Sequence, residues 1–201
     1  MADISPEGTV DLRADSRRNR VRLVAAAREL VAEKGLEVTA AEIAARAEVG
    51  VGTLYRRFGS KEALISDILI DGIDEVQAIA EQAAVDPDPW NGLSTFFEFF
   101  SRTQFDNQGI ADFTASATGH PGQDACEPTG RLATLIQEIV RRAHLSGTLR
   151  SDVTWQDIVI LSRASVSAGE CLGVKASPDQ WHRTCAVILA GLRSTTTAPL
   201  P

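Results

Sequence analysis

The sequence predicts an all-α fold of about nine helices, a small N-terminal helical unit followed by a larger helical body. Three observations carry that expectation. Apolar residues recur at i, i+3, i+4 spacing through nearly every long segment, the period of a helix with one buried face. No segment alternates with period two for long enough to make a strand. The boundaries are capping residues and isolated Gly or Pro rather than hairpin turns. At 201 residues and 44% hydrophobic, the chain has apolar material for a sizeable core and room for a small domain plus a larger one. There is no internal repeat.

Taken in order, residues 1–16 are polar, hold Pro6 and Gly8, and read as a mobile arm. A helix is expected from about Ser16 to Lys34, with Leu23, Val24, Ala27, Leu30 and Val31 as its apolar stripe, stopped by a left-handed cap at Gly35. Thr39-Ala40-Ala41-Glu42 has the form of a capping box, in which the Thr hydroxyl and the Glu carboxylate each satisfy one orphan amide. The short helix it opens buries Ile43, Ala44 and Ala47, and Glu48-Val49-Gly50 breaks it. A second short helix runs from about Val51 to Phe58, with Leu54 and Phe58 inward. Ser60 then caps a long helix reaching about Ala84.

Asp86-Pro87-Asp88-Pro89 marks a boundary, with Asp88 as cap and Pro89 at the first position of a helix ending near Phe105. Residues 108–129 read as loop with one short helix. Helices then follow from about Gly130 to Leu145, from Thr154 to Leu172, and from Ser177-Pro178 to Arg193. The tail, 195–201, reads as disordered. The expected domains are thus 17–62 and 63–194.

The net charge of −7 divides unevenly: residues 17–62 carry +4, whereas residues 63–201 carry −8 and residues 1–16 carry −3. A basic unit on an acidic body would approach a polyanion with one face. No apolar run suits a membrane span and the N-terminus lacks the form of a signal peptide, so a cytoplasmic protein is expected. Cys126, Cys171 and Cys185 form no CxxC pair, which points to reduced, buried thiols rather than a disulfide framework or a zinc site.

Two short helices joined by a tight Gly-containing turn meet the requirements of a helix-turn-helix. The first is small-sided at Ala40, Ala41, Ala44 and Ala45, so the second can cross it closely. The second offers Thr53, Tyr55, Arg56 and Arg57 outward while Leu54 and Phe58 anchor it. The run AARELVAEKGLEVTAAEIAARAEVGVGTLYRRFGSKEALISDIL, within roughly Arg20 to Leu69, resembles the N-terminal domain of the tetracycline-repressor (TetR) family of bacterial regulators. Its most specific piece is Gly52-Thr53-Leu54-Tyr55-x-x-Phe58-x-x-Lys61-Glu62. Two departures stand out: Ala47-Glu48 occupies the turn where the family commonly has a small residue and Gly, and Gly50 stands where Ser is frequent.

The resemblance implies double-stranded operator DNA as partner, pseudo-palindromic to match a homodimer. It places Tyr55, Arg57 and Lys61 on phosphates, Thr39 as a cap that also touches phosphate, and Val51, Thr53 and Arg56 at base edges. Gly52 completes that DNA-facing set. Arg57 stands where the family often has His, giving a fixed charge. Arg17, Arg18 and Arg20 would add phosphate or minor-groove contacts. The family pairs through its last two helices, which implicates Val159, Ser162, Val166, Gly169, Trp181, Cys185, Ile188, Leu189 and Leu192, although intrachain packing accounts for some of the same residues.

Family ligands lie among the middle helices. Here Leu93, Phe96, Phe97, Phe99 and Phe100 share one helix, more aromatic surface than a single core stripe needs. Phe96, Phe97, Phe100, Phe113, His120 and Trp155 are the candidate pocket residues for a small, largely apolar effector, with ordinary core packing as the other reading of the Phe cluster. The expectation is a ligand-responsive regulator, most simply a repressor. An activator of the same fold and a helical ligand-binding protein without DNA binding remain alternatives. No cofactor, metal ligand set, nucleophile motif or phosphate-binding loop is visible, and no enzymatic activity is expected.

Overall fold

The computed structural model describes residues 7–116, 128–166 and 169–194, which form nine α-helices and one short β-hairpin. The order is α1 (Glu7–Lys34), a 3₁₀ turn (Gly35–Glu37), α2 (Ala40–Arg46), α3 (Val51–Phe58), α4 (Lys61–Val85), α5 (Pro89–Asp106), α6 (Gln108–Ser116), α7 (Pro128–Leu145), α8 (Trp155–Ala164), the antiparallel pair β1 (Glu170–Cys171) and β2 (Val174–Lys175), and α9 (Gln180–Leu192). The all-α expectation holds, and most boundaries fall where local chemistry put them. Gly35 and Gly147 adopt φ of +71° and +68° at the ends of α1 and α7, the left-handed cap that costs glycine nothing. The Asp88 carboxylate accepts from the amides of Trp90 (2.9 Å) and Asn91 (3.3 Å), with Pro89 at the first helical position.

Two expectations are corrected, and the short helix expected within 108–129 is located. The first helix begins at Glu7 rather than near Ser16, so residues 7–16 are helical and not an irregular arm. They lack an apolar stripe, but extending an anchored helix costs far less than nucleating one. The helix from Thr154 stops at Ala164 instead of Leu172, and the hairpin 170–175 takes the place of its last turns. The segment after α5 opens directly into α6, whose amide at Ile110 is capped by the Asn107 side chain at 3.1 Å. Residues 1–6, the tail 195–201, His120 and Cys126 lie outside the described residues.

Two apolar cores organise the chain. The reader core gathers Leu23, Ala27, Val31, Ile43, Leu54, Leu64 and Ile68 from α1–α4, and α6 adds Ile110. The body core gathers Val76, Ala80, Leu93, Phe96, Phe97, Phe100, Ile136, Ile139, Ile158, Cys185 and Leu189 from α4, α5 and α7–α9. Helix α4 therefore runs from one core into the other. A second tie is α6, laid against the end of α1. Its Asp112 carboxylate accepts from the Leu36 amide at 3.2 Å and from the Gln108 side-chain amide at 2.6 Å. Gly109 backs onto Val31 so closely that a Cβ there would lie 2.1 Å from a Val31 methyl. Only a glycine permits that approach.

Candidate nucleic-acid interface

The site is built by α1, α2 and α3. The capping box forms as expected: the Glu42 amide donates to the Thr39 hydroxyl oxygen at 3.2 Å, and the Thr39 amide donates to the Glu42 carboxylate at 2.8 Å. The Lys34 ammonium also donates to Glu42, at 2.7 Å. Lys34 first, and the Thr39 amide second, hold the Glu42 carboxyl down at about 2. Ile43, Ala44 and Ala47 are buried, so α2 lies flat on the reader core. The chain then turns through Glu48, whose φ of +54° is left-handed. That is the conformation glycine suits best, and Arg22 pairs with the Glu48 carboxylate across the turn.

Helix α3 buries Leu54 completely and leaves Val51, Gly52, Tyr55, Arg56 and Arg57 exposed, with Thr53 half-exposed beside them. Together they make up the whole side of α3 turned away from Leu54, the surface a helix lying in the major groove offers to bases and to the flanking phosphates. Gly50 is the N-cap of α3, and no side chain caps that end. Arg56 is folded along its own helix, its Nε donating to the Gly52 carbonyl and its Nη2 to the Thr53 hydroxyl, both at 3.2 Å. Arg20 on α1 lies over the Phe58 ring, 5.5 Å from its centre, a cation–π contact that brings α1 beside the end of α3. Lys61 opens α4 next to Glu62 at 3.6 Å. Arg18 pairs with Asp15, and Arg17 is exposed on the same helix.

The reader's cations fall into two groups. Arg18, Arg22, Arg28, Lys34, Arg46 and Lys61 pair with Asp15, Glu48, Asp71, Glu42, the Glu29/Glu33 couple and Glu62, respectively. Arg17, Arg20, Arg56 and Arg57 have no carboxylate partner among the described residues. The second group concentrates on α3 and the part of α1 nearest it.

Two family models match the chain: bacterial regulatory proteins of the tetR family over residues 23–68, and the C-terminal domain of SbtR-like transcriptional regulators over residues 88–194. Together they take in most of both cores, leaving out only the α4 residues between 69 and 87. This chain belongs to the TetR family of bacterial transcriptional regulators. A TetR regulator structure from Mycobacterium vanbaalenii is 29% identical, covers 90% of this chain and 99% of its own, and superposes with a TM-score of 0.53. One from Streptomyces coelicolor is 25% identical over 88% of this chain and 99% of its own, with a TM-score of 0.56. A gamma-butyrolactone receptor, 17% identical over 89% of this chain and 90% of its own at a TM-score of 0.61, has a similar fold. Among curated proteins none matches the chain. As a TetR-family member it is a DNA-binding regulator, and the family is one of regulators rather than enzymes. No helix among the described residues is long and apolar enough to cross a membrane.

The residues expected in the pocket and at the pairing surface are placed as follows. Phe96, Phe97 and Phe100 are buried in the body core, Trp155 packs at its edge, and Phe113 packs against the reader core. In the last helices, Cys185, Leu189 and Leu192 face the chain's own core, and Ser162 is buried, accepting from the Gln104 side chain at 3.2 Å. Val159, Trp181 and Ile188 are half-buried against that core, Val166 is half-buried beyond the end of α8, and Gly169 is exposed. Periodicity picked out the stripe these helices turn inward. Their outward face carries Ile160 and Val187, 67% and 74% exposed, flanked by Ala164, Arg183, Ala186 and Ala190.

Proposed function

We propose that this regulator is a homodimeric repressor that leaves its operator when a small, largely apolar effector enters the body. The contrast among the reader's cations supports the DNA contacts best: the guanidinium groups without carboxylate partners sit on α3 and on the adjoining part of α1. Arg57, Tyr55 and Lys61, with Thr39 at the end of α2, hold phosphates. Val51, Gly52, Thr53 and Arg56 meet the bases, and Arg17, Arg18 and Arg20 reach the backbone or minor groove beside them. Arg56 first releases its own helix, exchanging two weak internal bonds for a bidentate contact to guanine.

Pairing uses the outward face of α8 and α9, around Ile160 and Val187, with Val159, Trp181 and Ile188 at its border. The effector is seated at the aromatic cluster of α5, with Trp155 at its edge. Opening that cluster shifts α4, which is rooted in both cores, and α6, which packs on α5 and the reader core. DNA affinity then falls by the effector's preference for the shifted state and no further.

The deciding experiment is a fluorescence-anisotropy titration of the protein into DNA flanking its own gene, at several salt concentrations, with unrelated DNA as control. The expected result is a sequence-preferring complex whose log affinity falls linearly with log salt. Arg57→Ala makes that slope shallower by about 1.8, one phosphate contact in each of two half-sites, whereas Arg56→Ala costs about 1–3 kcal/mol per half-site on the operator and little on the control. If genome-wide selection with effector-free protein recovers no site, the DNA-binding reading fails.

A further inference from the structure

Between the reader and the body lies a cavity of about 450 Å³ that neither the DNA contacts nor the aromatic cluster uses. One wall is α1, through Arg28 and Ala32; the others are α4 and α5, with Ile110 of α6 at one end. This volume falls within the ~300–1,000 Å³ of small-molecule sites. Its apolar surface comes from Ala32, Ile68, Phe99 and Ile110. Phe99 is the aromatic that α5 does not need for its core stripe: Phe96, Phe97 and Phe100 are at most 2% exposed, whereas Phe99 is only half-buried.

The charges around the cavity select an occupant. Both of its cations are committed, Arg28 to Asp71 across the α1–α4 seam and Arg102 to Asp106 at 3.2 Å along α5. Glu75 on α4 also faces the cavity, and it has no cationic partner among the described residues. One uncompensated carboxylate and one half-exposed aromatic ring are the two groups that favour an organic ammonium, the first by charge and the second through the ring quadrupole. An anion would meet Glu75 and find both guanidinium groups already paired. We propose that this cavity is a second ligand site, distinct from the effector site in the body, and that it takes organic monocations with a short apolar or aromatic group.

The test is a ¹H–¹⁵N NMR titration of the full chain without DNA, using benzyltrimethylammonium as the probe and 3-phenylpropionate as its charge-reversed counterpart. For a ligand of this size a dissociation constant of about 1 mM is expected. The amides that move should be those around Ile68, Gly72, Thr103 and Ile110, and 3-phenylpropionate should leave them in place. Glu75→Gln should weaken the probe by about threefold, the loss of one exposed and solvent-screened charge contact, whereas Asp74→Asn, an exposed neighbour outside the cavity, should not change it. The proposal is overturned if the probe moves no cavity amides, if 3-phenylpropionate moves them equally, or if the two variants behave alike. Because no DNA is present, none of these outcomes depends on the operator-binding reading.

Discussion

At the scale of single residues, the site is held by local chemistry that is readable in four or five consecutive letters. Thr39 and Glu42 form their reciprocal cap because a Thr three residues before a Glu satisfies two orphan amides wherever a helix starts. Glu48, out of place in the sequence as a residue where glycine is common, does take a left-handed φ. The rotamer of Arg56 was not readable, because it depends on a hydroxyl and a carbonyl that become available only once α3 exists. Lys34 was invisible as a partner of Glu42 for a similar reason: the two meet only after the chain has turned at Gly35. That partner gives a pH prediction. The Glu42 carboxyl is lowered from 4.5 to about 2 in the folded chain, so its bonds favour folding fully above the unfolded value and fade as pH falls through the folded one. Glu42→Gln removes the titrating group. Thermal unfolding of the two proteins should therefore differ most at neutral pH and converge as the pH is lowered from about 4.5 towards 2. A gap that stays constant across that range would mean the carboxylate's charge contributes nothing.

Elements were readable where a cap or a break announced them, and unreadable where the pattern ran on without one. Nothing in Ser165-Val166-Ser167-Ala168 stops a helix, so α8 looked longer than it is. The signal that was missed is Gly173. Glu170 pairs with Lys175 and Cys171 with Val174, which leaves a two-residue loop, and both its residues have positive φ: +52° at Leu172 and +78° at Gly173. That is the geometry of a type I′ turn, for which Asn-Gly is the favoured pair. Leucine is a poor first residue there, and it is also almost wholly solvent-exposed. Leu172→Asn should relieve about 1 kcal/mol of left-handed strain and slow hydrogen exchange of the hairpin amides roughly fivefold. Unchanged or faster exchange would mean that the leucine side chain, rather than the turn, holds the hairpin.

For the whole molecule, the division of charge between a basic reader and an acidic body was visible by summing along the chain, because it needs no geometry. The surface proposed for pairing was not visible, and the reason is physical. Helices α8 and α9 are apolar on two sides, and periodicity cannot say which side its own chain takes. The structure gives Cys185, Leu189 and Leu192 to the core and leaves Ile160 and Val187 outside. A charge at Val187 should therefore spare the fold and break the pairing, whereas the same charge at Leu189 should unfold the body. Val187→Glu is expected to sediment as a monomer at concentrations where the parent is a dimer, with its helical circular dichroism intact. Its melting temperature should fall with the lost association. Operator affinity should drop by about 10² or more, since a half-site reader forfeits the second contact that linkage supplies, while affinity per half-site stays unchanged. If Val187→Glu remains dimeric, the pairing surface lies elsewhere on the body. If it is monomeric yet binds the full operator as tightly as the parent, then the two readers are not coupled through this face, and repression would not require a preformed dimer.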